Sequence, residues 1–216
     1  FHGAYPHFMN GETGKPITFG RQDDGADIVE TSYLMMGLLT AREYFNGDTP
    51  IEQYLRGKIT QMWETVNWSW FEKDGKLFWH WSPNHGFDMN FPIYGWNECL
   101  ITYIMAASSP LFPISKDVYE SCWKAGEGYR NTKEHYGITS PLGDWGESLC
   151  GPLFFEHYTF QGIDPNGLVD EEGVHYFEQG RAHTLLHRAY AIANPDNHKG
   201  YGANCWGFTA GDSNKG

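Results

Sequence analysis

The chain has 216 residues, and 27 Asp and Glu against 15 Lys and Arg leave a formal charge of −12. That acidic surplus argues against a nucleic-acid partner, because phosphate binding draws on an excess of Lys and Arg. The 17% aromatic content excludes disorder, and no apolar run reaches the roughly 18 residues of a membrane span, the longest (Cys99–Ala107) being interrupted by Thr102. Length fits one domain, or part of a larger one.

Residues 1–25 carry Gly, Pro and Asn at close intervals and read as loop. From Ala26 to Phe45 the apolar positions recur at helical spacing, and Asn46-Gly47 supplies a stop. Thr49-Pro50-Ile51-Glu52 is a capping box with Pro at the first helical position, opening a second helix to about Trp68 and completing an αα-hairpin. Asp74-Gly75 between the alternating apolar residues of Phe71–Trp81 signals a small β-hairpin. Trp96–Ser108, apolar nearly all round, predicts a buried helix, and Ser115–Gly126 predicts another capped by Ser115. Tyr136–Pro152 is too long and Gly/Pro-rich for an ordinary connector and predicts a functional loop. Two last helices follow, Pro152–Gln161 and Val174–Ala193, the second closing at Asn194-Pro195, before a Gly-rich tail. About six helices, one hairpin and no βα alternation define an all-α class.

Cys99, Cys122, Cys150 and Cys205 are widely spaced beside apolar or aromatic neighbours. This favours buried free thiols over a disulfide framework or a metal site and leaves the redox compartment open. The chain starts at Phe1 without a charged-then-apolar leader, so any targeting segment is expected to be removed or to lie outside it.

Three constellations can carry chemistry. Asp23, Asp27 and Glu30 are spaced i, i+4, i+7, which puts them on one face if a helix begins near Asp24. Acidic capping of the helix N-terminus explains Asp23 and Asp24 as readily, and Glu30, a turn deeper beside apolar neighbours, less well. Glu98 in Gly95-Trp96-Asn97-Glu98 opens the apolar helix. It reads either as a dipole-complementing acid behind an Asn97 cap, or as a general acid kept protonated by aromatic desolvation; the two effects push its pKa in opposite directions. In Gly143-Asp144-Trp145-Gly146-Glu147 an indole between two acids suits a pyranose platform, and a solvated loop is the alternative. Trp79-His80-Trp81 and the Trp206 region add aromatic surface. His183 and His187 at i, i+4 could share a metal, but without HExxH a satisfied interior pair fits better. There is no GxSxG, Walker A or strand–GxGxxG–helix pattern. No cofactor and no metal is expected.

The strings Asp23–Glu30 (DDGADIVE) running into Thr31–Gly37 (TSYLMMG), Gly95–Leu100 (GWNECL), Gly143–Leu149 (GDWGESL) and Gly202–Ala210 (GANCWGFTA) occur in this order. Together they resemble the glucoamylase-like domain family, and more specifically glycoside hydrolase family 144, the β-1,2-glucanases and sophorose-releasing enzymes. The resemblance covers about Phe8 to Gly211. It implies an (α/α)6 toroid of paired helices around a cleft, and hydrolysis of β-1,2-linked glucan with inversion. Carried over by motif, Glu98 matches the proposed general acid, and Asp23, Asp27 and Glu30 match the acidic cluster of the cleft. Trp96, Trp145, Asp144, Glu147 and Trp206 are expected at the sugar.

Six helices are half of the twelve a toroid needs. The expectation is therefore one glucoamylase-like catalytic domain over residues 1–216 with flanking helices missing, and about half the ring present. The family's later Gly-Phe-Tyr-Asp-Ala-Phe segment, whose Asp is the proposed base, would fall beyond Gly216. A non-catalytic glucan-binding module, or a transglycosylating or trimming domain of a glucan-synthesising protein, is the rival reading. The expected partner is an oligo- or polysaccharide substrate (glucan), with no nucleic acid and no membrane span, the expected state a monomer, and the expected place the periplasm or outside the cell, from substrate class alone.

Overall fold

The computed structural model describes residues 1–126, 128–146 and 149–211. It divides into two compact units, one formed by Phe1–Ile93 with Cys99–Trp123, the other by Tyr94–Glu98 with Lys124–Gly216.

In the first unit, short pairings frame a helical hairpin. Strands β1 (Phe8–Met9) and β2 (Pro16–Ile17) pair antiparallel. Strand β3 (Ala26–Asp27) leads directly into α1 (Ile28–Tyr44), whose N-cap is Asp27 rather than a residue two or three positions earlier. The predicted start at Ala26 moves because Ala26 and Asp27 are extended and committed to a distant strand. Helix α2 (Pro50–Thr65) starts at the predicted capping box, the Thr49 hydroxyl accepting from the Glu52 amide with Pro50 at the first position. Arg56 closes the connection between the two helices by donating to the carbonyls of Phe45 and Gly47, at 2.7 and 2.8 Å.

The Asp74-Gly75 signal is also realised. β4 (Glu72–Lys73) and β5 (Lys76–Leu77) pair antiparallel, and both turn residues have positive φ, 53° and 71°, as a type I′ turn demands. Strand β6 (His80–Trp81) does not extend this hairpin but pairs with β3, with Ala26 opposite Trp81 and Asp27 opposite His80. Gly25 precedes the pairing, and any Cβ there would strike the Trp81 carbonyl and the Pro83 ring.

Helix α3 (Leu100–Ser108) is buried along nearly its whole length, as its all-round apolarity predicts, but starts four residues later than expected. A hydroxyl pair, Ser32 Oγ and Thr102 Oγ1 at 2.9 Å, joins α1 to α3 inside an otherwise apolar contact. After α3 the predicted Ser115–Gly126 helix becomes one α turn, α4 (Lys116–Val118), continuing as a π-helical stretch, Tyr119–Lys124.

The second unit is loop-rich. Within the expected functional loop, β7 (Glu134–His135) and β8 (Ile138–Thr139) form a hairpin whose turn residues Tyr136 and Gly137 have positive φ of 55° and 74°. Helix α5 (Phe154–His157) and a 3₁₀ turn, Thr159–Gln161, replace the predicted continuous helix. Helix α6 (Tyr176–Ala193) ends at a left-handed Asn194 followed by Pro195, as the sequence predicts. Three of the four cysteines are buried free thiols, and Cys205 is free but exposed, which corrects the expectation for that residue. No described helix is long and apolar enough to cross a membrane.

Candidate functional site

The acidic cluster of the first unit is assembled by pairing rather than by helical spacing. Asp23 sits in a tight turn, its amide donating to the Gly20 carbonyl at 2.9 Å and its carbonyl accepting from the Phe19 amide at 3.1 Å. Asp27 occupies the junction of β3 and α1 and is completely buried. Its Oδ1 accepts from the amides of Val29 and Glu30 at 2.9 and 3.0 Å, which satisfies two orphan donors of the helix start. Its Oδ2 accepts from the Trp79 indole Nε1 at 3.0 Å and lies 3.1 Å from His7 Nδ1. The loop carrying His7 is tied to the same helix start, because the Tyr5 carbonyl accepts from the Asp27 amide and the Thr31 hydroxyl accepts from the Tyr5 amide.

His80, opposite Asp27 in the β3–β6 pairing, places Nε2 3.2 Å from Asp27 Oδ2 and 3.4 Å from Asp23 Oδ2. His7 Nδ1 stands 3.6 Å from Asp23 Oδ2. One ligand atom from each of His7, Asp23, Asp27 and His80 thus falls within 4.8 Å of every other. The sequence signals the two aspartates but not the two histidines. His80 lies in a run noted only for its tryptophans, and an isolated His7 in a loop gives no periodic signal.

Burial pushes the Asp23 carboxyl above the ordinary carboxylate range, with the neighbouring Asp27 charge adding to it and His80 opposing it. Glu30 is also raised, by burial first and the Asp27 charge second, with His7 and His80 pulling the other way. The three carboxyls therefore form one electrostatic group, although only Glu30 lies on α1 itself.

Glu98 belongs to the second unit and sits in a partly exposed turn, two residues before α3, rather than in a helical first turn. Its carbonyl accepts from the Thr159 hydroxyl at 3.3 Å. The turn is braced from below by Trp96, which is fully buried. The Trp96 indole donates to Glu156 Oε1 at 2.7 Å and stacks on Tyr176, with centroids 5.5 Å apart and planes 16° apart. Trp96 therefore has no ring face for a sugar in this structure, which corrects its expected role. Its stacking surface is spent on Tyr176.

Glu156 is itself fully buried and also accepts from Gln179 Nε2 at 2.6 Å, while Gln179 Oε1 accepts from the Leu142 amide at 3.1 Å. This carboxylate was missed from sequence because Pro152–Gln161 reads as an ordinary amphipathic helix. Trp145, half-buried, donates its indole proton to the Trp96 carbonyl at 2.7 Å. Its ring lies against Gly128 (φ +83°), where a Cβ would come within 2.7 Å of the indole carbons. Asp144 pairs with Lys133 Nζ at 2.6 Å, and that ammonium holds its carboxyl below the usual range. Trp206 is 38% exposed in the tail. Glu147 lies outside the described residues. His183 and His187 form a buried interior pair, with both Nε2 atoms 2.9 Å from the Gly151 carbonyl, while His183 Nδ1 makes no hydrogen bond.

The first unit thus holds a buried group of carboxylates and imidazoles, and the second holds an aromatic-braced turn carrying a further acid and a partly exposed indole beside a charged pair. Comparison with known proteins carries this further. The family profile described as "Putative glucoamylase" matches residues 90–216, and the chain belongs to this glucoamylase-like family.

An exo β-1,2-glucooligosaccharide sophorohydrolase (non-reducing end) of Parabacteroides distasonis is 40% identical over 98% of this chain and 32% of its own. The endo-β-1,2-glucanase of Chitinophaga pinensis, solved with sophorotriose and glucose, is 44% identical with a TM-score of 0.95, over 100% of this chain and 52% of that one. A Bacteroides uniformis structure carrying the same glucoamylase description is 49% identical with a TM-score of 0.96, again over 100% and 52%. The chain thus spans about half the length of these solved relatives and about a third of the curated one.

Proposed function

We propose that this chain is part of a glycoside hydrolase that cleaves β-1,2-linked glucan or gluco-oligosaccharides with inversion. The observation that carries the reading is the 44% identity, at a TM-score of 0.95, to an endo-β-1,2-glucanase with sophorotriose and glucose bound. Within the proposal the complete protein forms an (α/α)6 toroid, of which the α1–α2 hairpin is one pair.

Inversion needs a protonated carboxyl to donate to the leaving oxygen and an ionised one to activate water, about 6.5–9.5 Å apart. Glu98 takes the acid role: its turn is partly exposed, and Trp96, Glu156 and Thr159 fix the backbone that carries it. Asp23, Asp27 and Glu30 form the acidic wall that orients water or the sugar at the cleavage point, Asp27 acting from behind the surface because it is completely buried. Trp145 offers an indole for stacking, with Asp144, Glu147 and Trp206 as further contacts. Within the proposal a polymeric β-1,2-glucan substrate fits the periplasm or the outside of the cell, and the protein works as a monomer.

The test is product release by the full-length protein from β-1,2-glucan, with β-1,3- and α-1,4-glucans as controls, followed by polarimetry. Release of short β-1,2-gluco-oligosaccharides as α-anomers is expected. Saturable binding without any release would instead make this a glucan-binding module, and retained anomeric configuration together with lengthened glucan products would indicate transglycosylation.

A further inference from the structure

His80 is a polar side chain without a hydrogen bond in a nearly closed place. Its side chain is 10% exposed, and neither ring nitrogen makes a hydrogen bond, although Nε2 is 3.2 and 3.4 Å from two carboxylate oxygens. An imidazole aligned as a donor would have chosen one of those oxygens. This one stands at nearly the same distance from both and bonds to neither.

Four of the six ligand–ligand edges match a shared centre, and all six lie within 4.8 Å. The four nitrogen–oxygen edges of the group are 3.1, 3.2, 3.4 and 3.6 Å. A tetrahedral ion with bonds of about 2.0–2.2 Å has ligand–ligand edges of about 3.3–3.6 Å. We propose that His7 Nδ1, Asp23 Oδ2, Asp27 Oδ2 and His80 Nε2 bind one divalent transition-metal ion of the Zn²⁺ type.

Charge and ligand type select this class. Two carboxylates balance a doubly charged cation and two neutral imidazoles complete the shell, whereas Mg²⁺ and Ca²⁺ prefer all-oxygen sets. The outer contacts of Asp27 are those a metal-bound carboxylate uses. The Trp79 indole donates to the ligating oxygen of Asp27, and the Val29 and Glu30 amides hold its other oxygen. His7 stacks on Phe19 with centroids 4.3 Å apart and planes 4° apart, which fixes the plane of its ring. With both aspartates bound to the ion, Glu30 is the carboxyl of this wall that remains outside its shell. The inference does not rest on the glucan reading, since it concerns binding alone.

The experiment is calorimetric titration of Zn²⁺ into the full-length protein after chelator stripping, with Co²⁺ substitution read by its visible d–d bands. One ion per chain and the intense bands of four-coordinate Co²⁺ are expected. Folded His7→Ala and His80→Ala variants should each lose at least tenfold in affinity, and Trp79→Phe should keep the stoichiometry with affinity about 10–100-fold weaker. Should His80→Ala fail to fold, His7→Ala, whose ring is one-fifth exposed, carries the test. Absence of saturable binding by the unmodified protein, or binding unchanged in the folded histidine variants, overturns the proposal whatever the protein does to glucan.

Discussion

Asp27 and His80 face each other across the β3–β6 pairing, and the same Asp27 carboxylate caps α1 through its other oxygen. One residue thereby joins a helix start, a strand pairing and a polar cluster 53 positions apart in the chain. The DDGAD string owes its form to this junction: Gly25 admits the Trp81 backbone, and Asp27 meets three elements at once.

Replacing Asp27 by Ala should therefore destabilise beyond a lost cap. The cap accounts for about 1 kcal/mol, and the orphaned Trp79 indole adds about 1–3 kcal/mol. Asp27→Asn, which keeps an acceptor at Oδ1, should lose less. Urea denaturation of the full-length variants measures both, and equal losses would contradict the two-sided role.

Glu156→Leu should lower the melting temperature and disturb the Glu98 turn together. It strips the acceptor from Trp96 Nε1 and Gln179 Nε2, two buried donors at about 1–3 kcal/mol each. Tryptophan fluorescence and a thermal melt read the two effects, and an unchanged melt would remove Glu156 from its bracing role.

Acid should loosen the second unit through His187. Burial, reinforced by His183, lowers the His187 pKa from 6.5 to about 4, so its folded form stays neutral. Because the folded value lies below the unfolded one, the unfolded chain binds the extra proton first. This contribution is complete above about pH 6.5 and is lost as pH falls toward 4, by no more than about 1.4 kcal/mol per pH unit. Denaturation midpoints between pH 7 and 4 should fall less steeply in His187→Gln than in the unmodified protein.

Local signals were legible where they are self-contained. The Thr49–Glu52 box, the Asp74-Gly75 turn and the Asn194-Pro195 stop all appear where the residues put them. The start of α1 was misplaced because Ala26 and Asp27 answer to β6, more than fifty residues on, which no local window contains. The Tyr136-Gly137 turn was missed because Tyr rarely takes a positive φ. Of the site, Asp23, Asp27 and Glu30 were found for the wrong geometric reason. The structure gathers them by turn and pairing, and only Glu30 sits in the helix. His7, His80 and Glu156 carried no spacing signal, since tertiary packing alone gives them partners. The family resemblance places Trp96 at the sugar, while its neighbours Tyr176 and Glu156 claim it for the interior.

The most direct test of the hydrolase reading is Glu98→Gln in the full-length protein, assayed on β-1,2-glucan for both turnover and binding. Loss of the acid should cut turnover by about 10²–10⁴-fold and leave glucan affinity within a few-fold of the original. Turnover that survives the substitution at its original rate would contradict the account.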